Sequence, residues 1–458
     1  MKTIFITISR GSLIRNFFRT NIVQDLLLAG HKVVVLTPYF DNKELFKEFE
    51  HENLFFEPLH RPTSLKFQKI LSEYFEGVVF NRTVHFLYTR RLSGSFIPRK
   101  SLYIPRMLFV VPFTYVPGFK RFLRYIDIKI NPQKEHDYLF EKYQPDLVFT
   151  TSATSLPDVG VQKSAKRLGV MSVCMPKSWD NLNKELIRTK SDHIIVWNKY
   201  MKEEALKYQD YKEHEVTIIG VPQFDYYRRT DVLLSREKYC ETLGLDPQKK
   251  ILLYASTGGN CCDESVYVEL IRKTMEEGRL KNVQVVMRPH LGYIGDEKQF
   301  LSCAESENFV LDRSDKQDAN LSDHWDPSEH HLRHLTNSLH HADVVINIAS
   351  TITLDAIACG SPVINIKFDV HNNLGPHDTA LRLFKSEYIR AIERSKGSWI
   401  VKSSEEFIEV LNDISAGSKK ETAQIKEFER YFLHKLDGKS SKRLSDTLLR
   451  IMDTKHEG

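Results

Sequence analysis

Short apolar runs of four to seven residues recur along the chain, and most are followed by a longer segment with helical spacing. In the first half they are Thr3–Ile8, His31–Thr37, Asp146–Thr150, Val170–Cys174, His193–Trp197 and Val216–Ile219. In the second half they are Ile251–Tyr254, Val283–Met287, Val344–Ile348 and Pro362–Ile366. Their length and β-branched content are those of strands buried on both faces of a parallel sheet. Between them the pattern predicts helices from Gly11 to about Ala29, over Asp158–Leu168, over Asp263–Gly278 and from Ser350 to Gly360, with Gly30, Gly169 and Gly360 where left-handed helix ends belong. Strand and helix in alternation imply an α/β fold. We expect two doubly wound, Rossmann-like domains facing a cleft: residues 1–225, with an insertion at 61–130, and residues 226–420. Gly220–Asp225 is the connector, and the strand order is complete at Ile366. Helices over Ser404–Ile414 and from Glu421 to Met452 finish the chain, residues 421–458 forming a C-terminal helical segment whose last helix returns to the first domain.

The most informative stretch is His341–Ile366, a strand, turn, helix and strand. A helix that starts just past a parallel strand's carboxyl end aims unpaired N–H groups, and about half a positive charge, into the crevice where α/β proteins bind ligands. Ser350 and Thr351 at that start suit a phosphate. Read as structure alone, they cap the helix and Asp355 answers its dipole. Other strands release candidate residues at the same end. Thr257 and Gly258 lie in the loop A-S-T-G-G-N, where a Gly-Gly pair lets backbone approach a ligand. Arg288, Pro289 and His290 follow Met287, and an Arg and a His together can neutralise and protonate a leaving phosphate. In the first domain Arg10 and Gly11 follow the first strand. That turn has one glycine where a dinucleotide fingerprint needs three, so it suits an acceptor rather than a nicotinamide or flavin. Trp179, Asp180 and Asn181 in P-K-S-W-D-N-L are placed on the same acceptor side. Their bland reading is a core plug followed by two turn formers.

Composition sharpens this picture in three places. With 458 residues, 41% hydrophobic and 27% charged, the chain can bury two cores. No leader pattern opens it, and its longest uncharged run, Met107–Phe119, is too short and proline-broken to span a bilayer, so a cytoplasmic protein is expected. Six scattered cysteines include no C-x-x-C pair, which argues against a disulfide framework or zinc site. Arg61–Ile130 carries 13 Lys and Arg against three acids, with 14 interleaved aromatics, among them Phe86, Tyr88, Phe96, Tyr103, Phe109, Phe113, Tyr115, Phe119 and Phe122. That composition fits peripheral contact with anionic membrane, or ordinary helices with solvated basic faces; no nucleic-acid-binding module accompanies it. Six histidines lie between Asp323 and His341 (His324, His330, His331, His334, His340, His341), but without carboxylate or thiol partners in sequence they are not read as a metal site.

Two βα domains, a hinge near Gly220, the run A-D-V-V-I-N-I-A-S-T-I-T-L-D-A-I-A-C-G-S-P-V-I and a helical C-terminal return resemble a GT-B glycosyltransferase. The R-P-H turn and the S-T helix start are similar to elements of transferases using CMP- or CDP-linked donors, including CDP-glycerol glycerophosphotransferases. W-D-N-L, V-W-N and G-V-P-Q-F-D resemble bacterial surface-polysaccharide proteins of this superfamily. Here proline precedes rather than follows the histidine. The resemblance implies that Arg288 and His290 meet the leaving diphosphate, that Ser350, Thr351 and Thr353 cradle phosphate, and that Asp355 contacts ribose. A general base must then come from the first domain, and Asp180 is the candidate. No D-x-D occurs, so positive side chains and helix dipoles stand in for a metal, and no cofactor is implied beyond a nucleotide-activated donor as substrate. The implied function is transfer of a sugar or glycerophosphate to a surface glycan or lipid-linked acceptor. The alternatives are a nucleotide-sugar 2-epimerase, whose Ser-Gly-Gly and paired-Glu signature Ala349–Asp355 does not match, and a non-catalytic binding protein of polysaccharide assembly.

Overall fold

The computed structural model describes residues 1–62, 66–93, 105, 107–258, 262–314, 321, 323, 328–371, 374 and 379–454. Its strands form two parallel sheets. The first contains β1 (Thr3–Thr7), β2 (Lys32–Thr37), β3 (Leu54–Pro58), β4 (Leu147–Thr150), β5 (Met171–Cys174), β6 (His193–Val196) and β7 (Val216–Ile218), in the order β3-β2-β1-β4-β5-β6-β7. The second contains β8 (Lys250–Ala255), β9 (Val283–Arg288), β10 (Phe309–Leu311), β11 (Val344–Asn347), β12 (Val363–Ile366) and β13 (Trp399–Val401), in the order β10-β9-β8-β11-β12-β13. Both sheets reverse direction beside their first strand, which is the doubly wound arrangement with its ligand crevice at the carboxyl ends of the strands flanking the reversal. Every residue of β4, β9, β11 and β12 is buried, which is why these strands read as continuous apolar runs rather than alternating ones.

The chain divides into two compact units. One holds Met1–Asp225 with Lys439–Gly458, the other Tyr226–Gly438. The last helix, Ser440–Thr454, packs on the helix Ile22–Leu28 of the first unit. Asp225, the last residue of the connector motif, accepts the backbone N–H groups of Ser440 and Ser441 at 2.9 and 2.7 Å, and so satisfies the start of that helix. Helix and connector are thereby tied at one point. The seven-residue helix Thr422–Phe428 and the wide turn Glu429–Leu433 stay with the second unit.

Three features depart from expectation. The helix after β1 is two helices, Gly11–Phe18 and Ile22–Leu28, because the Thr20 hydroxyl bonds back to the carbonyls of Asn16 and Phe17 and competes with the helical ladder. The strands β3, β10 and β13 were not legible. The last two are three-residue edge strands, too short for a period, and β13 on β12 overturns a strand order complete at Ile366. The stretch Glu421–Met452 is broken by His434 and Gly438, both in the left-handed region. Within 61–130, residues 63–65, 94–104 and 106 lie outside the described ones, as do Phe96, Tyr103 and the side chain of Tyr88.

The described part of that insertion builds a satellite core of Leu71, Phe75, Val78, Val79, Leu123 and Leu186. Its basic residues divide. Arg124 is buried, donating to the carbonyls of Ile187 and Gln209 and to Asp210 at 2.9 Å. Asp127, fully buried, pairs with the equally buried Lys163 at 2.7 Å and lies 3.7 Å from Arg188. Burial lowers the Lys163 pKa and Asp127 opposes that shift. Leu108, Phe109, Tyr115, Phe122 and Tyr125 are exposed, beside exposed Arg121 and Lys129. Among the described residues no helix is long and apolar enough to cross a membrane.

Candidate functional site

In the second unit, β9, β8 and β11 are adjacent, so the turns leaving their carboxyl ends are neighbours. The turn after β8 is built by a residue that gave no sequence signal. Glu264, fully buried, accepts the Thr257 N–H at 2.8 Å and the Ser256 hydroxyl at 3.1 Å on one carboxyl oxygen, and the Tyr254 hydroxyl at 3.0 Å on the other. Burial pushes its pKa up to about 8, with these hydrogen bonds opposing and the nearby Cys262 and Asp296 adding to the rise. The Ser256 hydroxyl in turn accepts the Gly258 N–H at 3.0 Å. Gly258 has φ +81°, and a Cβ there would stand 2.2 Å from the Tyr293 ring and 3.1 Å from the His290 ring. The turns after β8 and β9 therefore touch, and Gly258 is required by that contact. Gly259 lies outside the described residues.

After β9, Arg288 is buried and bonded to Asp312 at 3.1 Å, and Asp312 also meets the His334 Nε2 at 2.7 Å. The expected phosphate ligand is thus held in a buried Arg288–Asp312–His334 array, which spends part of its charge on the protein. His290 donates its backbone N–H to Asp296 at 2.8 Å, accepts the Gly292 N–H on ring Nδ1 at 3.0 Å, and packs edge-on against Tyr293. Burial and the Arg288 charge lower its pKa, with Asp296 opposing. The lowered pKa favours the neutral imidazole, and an anion beside it would favour the imidazolium.

The turn after β11 is organised by Asn347 at the end of the strand. Its Oδ1 accepts the Ser350 N–H at 2.9 Å, so the helix Ile352–Cys359 begins with the amides of Thr351 and Ile352 uncommitted among the described residues. Neither Ser350 nor Thr351 caps it by a side-chain hydrogen bond, and Thr351 is exposed. Gly360 ends the helix at φ +85°, as expected. One expectation is corrected here, and a second residue has a partner within the protein. Thr353 is fully buried and donates to Asn365 at 3.0 Å, which faces Asn347 across β11 and β12, so it holds the turn together instead of lining a phosphate cradle. Asp355 accepts the Tyr227 hydroxyl at 2.6 Å, which engages the carboxylate intended for ribose. A polar Asn interrupting each of two apolar runs was the visible signal for this pair.

In the first unit, among the residues expected to meet an acceptor, Gly11 is the buried first residue of its helix and Arg10 is exposed beside it. Trp179 is 1% exposed and packs against Tyr200, so it plugs the core and offers no platform. Asn181 accepts the Ser178 N–H at 3.1 Å in a turn. Asp180 pairs with Lys184. Burial alone would raise its pKa, but Lys184 and local hydrogen bonds outweigh that and hold it below the usual carboxylate range, which makes it a weak base. The basic carboxyl nearby is Glu204, buried, bonded to Asn183 and pushed up to about 8 by burial. Nothing in its helical context marked it. In the histidine-rich helix, His331 is buried and His334 serves Asp312; His324 lies outside the described residues. Among the described residues no three His, Cys, Asp or Glu are grouped to hold a metal.

Two parallel doubly wound sheets, with an uncommitted helix start and a histidine turn at the carboxyl ends of the second, form a two-domain α/β fold whose ligand crevice lies at those strand ends. The chain belongs to the CDP-Glycerol:Poly(glycerophosphate) glycerophosphotransferase family, whose pattern it matches over residues 125–450. Among solved structures it is similar to the UDP-GlcNAc 2-epimerase of Neisseria meningitidis bound to UDP-GlcNAc, at 10% identity, covering 98% of this chain and 100% of that one with a TM-score of 0.57. The UDP-GlcNAc 2-epimerase of Methanocaldococcus jannaschii is similar at 12% identity, 98% and 100% coverage and a TM-score of 0.57. At these identities the likeness is one of fold. The wall teichoic acid polymerase TagF aligns at 16% identity over 69% of this chain and 76% of its own, with a TM-score of 0.45. No curated protein matches the sequence.

Proposed function

We propose that the second unit binds a CDP-linked donor and that the protein transfers glycerophosphate, or a sugar in the same position, to a surface glycan or lipid-linked acceptor. The family match carries this reading. The contact of Gly258 with His290, next to the free start of the helix Ile352–Cys359, supports placing the donor phosphates there. The helix start and the amides of Thr351 and Ile352 take one phosphate, Ser350 adds a hydroxyl, and His290 carries the proton or charge that the departing nucleotide requires. Arg288 acts on the same phosphates from within its array with Asp312. For glycerophosphate transfer, an acceptor hydroxyl attacks the phosphorus bearing glycerol, the bond to the CMP oxygen breaks, and the acceptor proton passes to a base of the first unit. No metal is assigned a role in this scheme. Contact with anionic membrane through 105–130 is part of the proposal. The exposed Phe109, Tyr115, Phe122 and Tyr125, beside exposed Arg121 and Lys129, support it. A thermal-shift series with CDP, CMP, UDP and GDP tests the donor assignment: at about 100 times its Kd a ligand stabilises by roughly 2.7 kcal/mol, and CDP is expected to lead. Equal, negligible shifts with all four would overturn it.

A further inference from the structure

A cavity of about 290 Å³ opens at the amino ends of β12 and β13, the edge of the second sheet opposite the three turns described above. Ile357, Pro362, Trp399 and Ile425 give it an apolar floor, and Lys419 and Lys420 line its rim. One wall is fixed by close packing. Gly397 is buried, and a Cβ there would lie 2.5 Å from the Phe428 ring, which locks the helix Thr422–Phe428 against the strand. The rim is cationic. Lys420 is half-buried with its ammonium 4.8 Å from the centre of the Trp399 ring, and Lys396 lies close enough to act on its charge. None of Lys396, Lys419 and Lys420 has an ion pair or hydrogen bond among the described residues, whereas Lys250 and Lys367 of the same unit pair with Asp343 and Glu393. Burial lowers the pKa of Lys420, with Glu421 opposing and Lys396 adding to the shift. Glu421 and Glu429 are the acids nearby. Solvated lysines alone would not need an apolar, rigid floor beneath them. An aromatic and aliphatic surface takes the C–H face of a sugar or polyol, and ammonium groups around it take a phosphate.

We propose that this cavity is a second binding site, for a phosphate-bearing polyol or sugar unit. Its use as a hold on the polymer chain, away from the donor turns, rests on the transferase reading; its binding chemistry does not. The test is calorimetric titration of the full chain with sn-glycerol 3-phosphate, with glycerol, inorganic phosphate and CDP titrated separately. Glycerol 3-phosphate is expected to bind more tightly than either fragment, and to weaken with salt. Lys419→Gln with Lys420→Gln should lower its affinity about ten- to a hundredfold while leaving CDP affinity unchanged, and Lys420→Arg should retain most of it. Trp399→Phe, checked for an unchanged Tm, should weaken glycerol 3-phosphate more than inorganic phosphate. Three results would overturn the proposal: no binding, binding unaltered in the double lysine variant, or displacement of glycerol 3-phosphate by CDP, which would place the probe among the donor turns. A chain that fails to bind CDP but binds glycerol 3-phosphate through these lysines would keep this site and remove the donor assignment.

Discussion

Replacing Glu264 with alanine removes the acceptor for three donors at once: the Thr257 N–H and the hydroxyls of Ser256 and Tyr254, all within 3.1 Å of its carboxyl oxygens. A buried donor left unsatisfied costs about 1–3 kcal/mol, so with partial relaxation the loss is roughly 3–6 kcal/mol, a large part of a domain's stability. Glutamine keeps an acceptor for Ser256 and Thr257 and resembles the protonated acid, so near neutral pH it should cost no more than about 1.5 kcal/mol. The two carboxyl states separate these variants further. Burial raises the pKa of Glu264 from its ordinary 4.5 to about 8, so the unfolded chain gives up this proton before the folded one does. The stability held through the protonated form is complete below the ordinary glutamate value and is lost as pH rises through about 8, the loss reaching at most about 5 kcal/mol. Glutamine has no proton to lose. The gap between Glu264→Gln and wild type should therefore shift in favour of the variant between about pH 4.5 and about pH 8, and level off above that, measured by urea denaturation at matched ionic strength. Parallel profiles for the two proteins across that range would refute the reasoning, and an alanine variant as stable as wild type would show that the carboxyl does not hold the turn.

Three further outcomes follow from the geometry. Asp127→Ala strands the buried ammonium of Lys163 beside Arg188 and should cost about 3–5 kcal/mol by chemical denaturation, whereas breaking the exposed pair Lys442–Asp446 should leave the denaturation midpoint nearly unchanged. His290→Ala should reduce turnover more than CDP affinity, because the imidazolium acts on charge that develops as the donor bond breaks; kcat measured against Kd decides it, and equal losses in both would make His290 a binding residue only. Vesicle co-sedimentation should show salt-sensitive binding to anionic lipid that Phe122→Ser with Tyr125→Ser lowers severalfold, and binding indifferent to acidic lipid would count against the membrane contact.

The strands that carry the turns were legible because full burial leaves a continuous apolar run, as in Val283–Met287 and Val344–Ile348, and because Gly169 and Gly360 stand at left-handed helix ends. Edge strands such as Trp399–Val401 were not, since three residues half-covered by one neighbour need no hydrophobic period. Within the site, sequence located the turns but not the direction of each side chain. Thr353 looked like a third phosphate hydroxyl, yet one helical step places it under the sheet against Asn365. Trp179 and Asp180 are adjacent, and packing sends one into the core and the other to Lys184. Glu264 and Glu204 carried no signal because what makes them functional candidates is burial, which depends on elements remote in the chain.

Hydrogen–deuterium exchange of the full chain with and without CDP tests the central claim most directly, since it reports where nucleotide protects backbone. The donor assignment predicts slowed exchange in the turns 256–258, 290–293 and 348–353 of the second unit, and loss of that protection in His290→Ala together with Ser350→Ala. Protection confined to the first unit, or to the cavity around Trp399, would contradict it.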